Sequence, residues 1–150
     1  MEKQKRAVVT PERLKAAIEA SWCAETSDAP IRYAEYGGEN PPYGQCRATA
    51  LVVHDYLGGS ILFSIYKGSF GAHYYNMLDD GTVVDLTRQQ FGKPPHKGIV
   101  LLPPQRTNRA FVKASCRRFR QYELLKDKVA AVLSEVERMD PTAHAPLRRK

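Results

Sequence analysis

The chain has 150 residues, 43% hydrophobic and 26% charged, with a formal net charge of +7, which allows one domain with a sizeable core and excludes two. No apolar run approaches the roughly 18 residues that span a bilayer, and the opening MEKQKRAVVTPERLKAA has charge with no apolar stretch behind it, so neither a membrane segment nor a secretory leader is expected and the cytoplasm is the default location. Three widely spaced cysteines, Cys23, Cys46 and Cys116, suggest neither a disulfide framework nor a set of zinc ligands, and no metal or cofactor is expected; the basic excess gathers toward the termini (Lys3, Lys5, Arg6; Arg148, Arg149, Lys150), and without a binding motif specific nucleic-acid recognition is not expected either.

Thr10-Pro11-Glu12 opens a helix, with a hydroxyl at the N-cap, proline at the first helical position and an acid in the first turn. It runs to about Trp22, a packing anchor, with Leu14, Ala17 and Ile18 on one face. Residues 24 to 45, rich in proline, glycine and small polar residues, are expected as a long loop with at most a short extended piece at Ile31 to Tyr33. A loop of this length leading into the next helix suits the covering or shaping of a cleft.

Cys46 to Leu57, CRATALVVHDYL, is nearly uncharged and helical in period, so this helix is expected to be buried almost all round. A cysteine in its first turn faces unsatisfied N–H groups and the positive end of the helix dipole, both of which favour thiolate over thiol. The competing reading is a small apolar residue filling the core. Cys23 and Cys116 are read as core residues of their helices.

After Gly58-Gly59, residues 60 to 67 form a strand, and AHYYNML and TVVDLT form a hairpin around Asp79-Asp80-Gly81. A three-residue loop with a left-handed glycine pairs Leu78 with Thr82, which sets Tyr75 opposite Asp85 and His73 opposite Thr87. His73 and Asp85 then share a face as diagonal neighbours roughly 7 to 8 Å apart at the backbone. A two-residue loop would instead set Asn76 opposite Asp85. Ile99 to Leu102 is expected as an edge strand or packed extended segment, and residues 108 to 139 as helix with a possible break near Ser115-Cys116. The expected domain covers residues 1 to 140, followed by a flexible basic tail at 141 to 150.

Covalent thiol chemistry needs a nucleophile, a base, a group that orients the imidazole, and oxyanion donors. Cys46, His73 and Asp85 fit the first three roles, and Gln45 with the Cys46 backbone N–H fits the fourth. Each also has a plainer role: a buried sheet histidine for His73, a turn or cap for Asp85, a cap for Gln45. His54 lies eight residues beyond Cys46 on the same helix, too far along the axis to serve it, and His96 and His144 fall in proline-flanked segments expected to be exposed.

The stretches NPPYGQCRATALVVHDYLGGSI and GAHYYNMLDDGTVVDLTRQQFG, and more weakly RRFRQYELLKDKV, resemble the YunG-like family of small bacterial and phage proteins. The resemblance implies a compact papain-like α+β domain of the papain-like and transglutaminase-like superfamily, in which a central helix packs on a three- or four-stranded antiparallel sheet flanked by terminal helices. It places the family's cysteine on Cys46, its histidine on His73 and its acid on Asp85, with Asn76 as an alternative orienting residue. Tyr75 stands where the family often has tryptophan. The Cys46, His73 and Asp85 constellation points to thiol-dependent acyl transfer, with peptide or isopeptide hydrolysis of a protein or peptide substrate expected first and deamidation or transglutaminase-like transfer sharing its chemistry. A non-catalytic binding protein and a basic nucleic-acid-associated protein remain the alternatives.

Overall fold

A computed structural model describes residues 9–69, 71–116 and 120–139. The basic tail expected at 141 to 150 lies outside them. Helix α1 (Pro11–Ser21) starts where Thr10 accepts the Arg13 N–H on its side chain, and buries Leu14, Ala17, Ile18 and Ser21 at spacings of three and four. The segment expected as a loop instead holds a 3₁₀ turn at Ala24–Thr26 and a short helix, α2 (Pro30–Tyr36). This helix has proline in its first turn and buries no residue, leaving Ile31 91% exposed. With no apolar stripe it leaves no periodic signature in the sequence.

Helix α3 (Cys46–Leu57) is the middle layer of the molecule. Its residues Cys46 and Ala48 through Val53 are all buried. Strands β1 (Ser60–Ile65) and β2 (Ala72–Met77) pack on one side of it, and α1 and α5 (Gln121–Met139) close the other side. Together with β3 (Val83–Val84) and β4 (Gln105–Thr107) they form an α+β fold whose four-stranded antiparallel sheet has the order β3-β2-β1-β4. Gly58 caps α3 at a positive φ of +70°, its N–H donating to the His54 carbonyl. Gly59, at φ +79°, then passes against the end of β2, where a Cβ would collide with the Met77 carbonyl.

The hairpin has the three-residue register. Leu78 N–H donates to the Thr82 carbonyl at 2.8 Å, Gly81 N–H donates back to the Leu78 carbonyl at 2.9 Å, and Asp80 accepts the Thr82 N–H. The pairs Asn76–Val84 and Met77–Val83 continue that count. Residues 99 to 102 run alongside β1, with Leu101 bridging Tyr66, but the edge strand itself is the polar Gln105–Thr107, paired with Ile61 to Phe63. The C-terminal helical stretch is divided into α4 (Arg109–Ser115), capped by Asn108, and α5. Cys116 is buried at the end of α4, whereas Cys23 is half-buried and precedes the 3₁₀ turn rather than lying in a helix.

Candidate functional site

Alternation along β2 sorts its side chains between two faces. Tyr74 and Asn76 face α3: Tyr74 joins the core, and the Asn76 amide donates to the Ala50 carbonyl at 2.9 Å. His73 and Tyr75 face away from α3. His73 is fully buried there, with Nε2 at 2.8 Å from both carboxylate oxygens of Asp85. The Tyr75 ring stacks on it and the Phe91 ring meets it edge-on. The other ring nitrogen, Nδ1, lies 3.4 Å from the Gln90 side-chain nitrogen. With that amide donating, the imidazole proton sits on Nε2 and points at Asp85. Arg88 adds a second, exposed partner for Asp85 at 3.3 Å.

The register brings His73 and Asp85 together but turns them away from the helix that carries Cys46. No hydrogen bond joins the thiol to His73 among the described residues. Cys46 is 4% exposed, and burial, followed by the charge of Asp28, pushes its thiol up to about 12. The Tyr74 backbone N–H and the Arg47 guanidinium pull the other way, and Asp85 adds a smaller upward push. The lowering expected from the helix start is opposed here by loss of solvent, the largest influence on this thiol. Asn76 sits on the face opposite His73 and does not orient it. Gln45 is equally occupied, its amide donating to the Cys23 carbonyl at 2.9 Å and its oxygen accepting from Thr26 at 2.7 Å. It anchors the 3₁₀ turn, with one N–H of its amide spent on the Cys23 carbonyl.

A cavity of about 180 Å³ opens over Cys46. Its walls include Asp28, Tyr43, Arg47, Tyr66, Gln90 and His96. Residues of the 24–45 segment thus shape the cleft, as its position before the helix suggests. Asp28 is pushed up to about 6 by burial, with Arg47 and the Gln121 amide opposing that shift. Its carboxylate lies 3.7 Å from Arg47 Nε and accepts from Gln121 at 2.8 Å. Gly44, at φ +70°, lets the backbone pass so close to the Ser27 hydroxyl that a Cβ would collide with it.

His96 is the group that sequence reading misplaced. It is half-buried, not exposed, and its ring lies among those of Tyr43, Tyr66 and Phe91 at centroid distances of 5.2, 5.6 and 5.9 Å. Burial holds its imidazole below the ordinary value, with Arg32 and His73 adding to the effect. The anchor is Asn40, whose buried amide donates to the Gln90 and Pro94 carbonyls at 3.0 and 3.2 Å and more distantly to that of Lys93. A contact between residue 40 and a loop about fifty positions later leaves no local signal in either segment.

The model of the family described as YunG protein matches residues 10–134. The chain belongs to the YunG family. It is 35% identical over 83 residues to the uncharacterized protein YunG of Bacillus subtilis (strain 168), a match that covers 55% of this chain and 64% of that protein. The chain thus matches somewhat under two thirds of this YunG relative's length. No solved structure matches it. The YunG match takes in Cys46, the His73–Asp85 pair, Gln90 and His96. Among the described residues no helix is long and apolar enough to cross a membrane, and no cluster of His, Cys, Asp or Glu could hold a metal ion.

Proposed function

We propose that this chain is a thiol-dependent acyl-transfer enzyme with papain-like architecture, first a cysteine peptidase or isopeptidase acting on a protein or peptide. Cys46 is the nucleophile, its base an imidazole of the same site, and the order of helix, strand and next strand brings the His73–Asp85 pair in behind the site. The observation that carries the reading is the position of Cys46: the first turn of a buried helix, on the wall of a cavity that also presents an imidazole and a carboxamide. In the reaction the sulfur bonds to the substrate carbonyl carbon while its proton passes to a base. The C–N bond then breaks, the amine leaves with that proton, and water cleaves the thioester to return acid and thiol. Attack by an amine in place of water gives transfer, and release of ammonia from a side-chain amide gives deamidation.

A thiol pushed up to about 12 with no bond to His73 favours a second reading, a non-catalytic protein that uses the cavity to bind a partner. Peptidyl electrophiles separate the two. Incubation with a panel of peptide vinyl sulfones at neutral pH, followed by peptide mapping, is expected to modify Cys46 ahead of the half-buried Cys23. Preferential labelling of Cys23, with Cys46 untouched by the whole panel, rejects the enzyme reading.

A further inference from the structure

Resting on the enzyme reading above, we propose that His96 is the imidazole that serves Cys46 as general base and then general acid, and that His73 with Asp85 is a positioning pair behind the cavity wall. Three observations lead there. His96 lines the same cavity as Cys46, whereas His73 is not among the residues that border it. Both ring nitrogens of His73 are already engaged, by Asp85 and by Gln90. By contrast, neither ring nitrogen of His96 has a hydrogen-bond partner among the described residues, although its ring is fixed by three aromatic neighbours. A base needs a free lone pair facing the acid it deprotonates, and geometry decides before basicity does.

The loop that carries His96 is held to the cysteine segment by the Asn40 amide, so the base comes from a tethered connection rather than from the sheet. Gln90 links the two parts. Its side chain contacts His73 on one side and borders the cavity on the other. His73, fixed by Asp85, therefore orients Gln90, whose amide keeps a second N–H for the carbonyl oxygen of a bound acyl group. In the acylation step the Cys46 S–H proton moves to His96 as the S–C bond forms, and the same proton leaves on the departing amine. A resting imidazole held neutral by burial is in the accepting form at pH 7. The charged and titratable groups around it are Asp28, Arg47, Tyr43 and Tyr66 on the cavity wall, Arg32 on α2, and His73 behind Phe91.

The test is the rate of Cys46 alkylation by iodoacetamide between pH 5 and 9, read by peptide mapping, in the parent and in His96→Gln, His96→Phe and His73→Gln. The phenylalanine variant preserves the ring packing, so that a folding defect in the glutamine variant does not decide the result. The parent is expected to show a rise in rate across the imidazole range. Both His96 variants are expected to lose that rise and to react about 100-fold more slowly at neutral pH, with His73→Gln retaining it at reduced amplitude. A profile unchanged in both His96 variants overturns the assignment. If the rise disappears only in His73→Gln, His73 is the base and the enzyme reading stands without His96. A Cys46 inert in the parent, beside a reactive Cys23, overturns both.

Discussion

The two ends of α3 treat polar groups in opposite ways. At the C-terminal end Arg109 donates to the Leu51 carbonyl and lies 3.1 Å from His54 Nδ1, pairs with Asp55 at 2.5 Å, and donates to the Tyr122 hydroxyl, which donates in turn to Asp55. Lys113 and Lys126 lie over the Tyr122 ring. At the N-terminal end the thiol is held protonated, Asp28 is short of solvent, and Arg47 Nε and Asn40 Oδ1 are buried without a hydrogen-bond partner among the described residues. The first arrangement stabilises: each group satisfies another. The second leaves unspent donors and acceptors around a cavity, a condition that stability alone does not favour and that binding or chemistry can use.

That contrast breaks most sharply at the closed end. Arg109→Ala removes the cation beside Asp55 and the donor to Leu51, and is expected to cost about 3 kcal/mol in urea unfolding while leaving Cys46 alkylation unchanged. At the open end Asn40→Ala releases two well-made hydrogen bonds to the 90–94 loop, at an expected cost of about 2 kcal/mol. Amide hydrogen exchange in residues 88 to 98 should rise while that of α5 stays as it was. A uniform rise across the chain would mean that Asn40 supports the whole fold and not the cavity.

The smallest effect is a pH dependence. Asp28 has a folded-state value near 6 against an ordinary 3.8, so the folded protein binds the proton more tightly than the unfolded chain. Stability from this group is then fully present below about 4 and is lost as pH rises through about 6. Part of the carboxylate meets solvent, its side chain being 31% exposed, so about 1 kcal/mol is expected rather than the larger figure the full shift implies. The melting temperature should fall between pH 5 and pH 7 in the parent, and Asp28→Asn should flatten that slope. An equal slope in the variant assigns the effect to another group.

The sequence carries those parts of the fold whose causes are local. Asp79-Asp80-Gly81 dictates a three-residue turn, and that turn alone sets His73 beside Asp85; the apolar stripe of residues 46 to 57 dictates a buried helix. The α2 helix escapes because it buries nothing, and β4 because an edge strand of Gln, Arg and Thr, two of them exposed, shows no alternation. At the site, the pairing of His73 with Asp85 is legible, but its direction relative to Cys46 is not. Strand alternation says which residues share a face, and only the packing of α3 says which face is which. His96 escapes for a different reason: prolines beside it suggest exposure, and the residue that draws it inward belongs to another segment.

The Asn40 tether has a consequence for biogenesis. Synthesis delivers Asn40 and Cys46 well before the loop that covers them, at about 5 to 20 residues per second. A nascent chain that has already emitted its thiol and its hairpin still lacks both the 88–98 loop and α5, so the wall over Cys46 can be completed only late in synthesis.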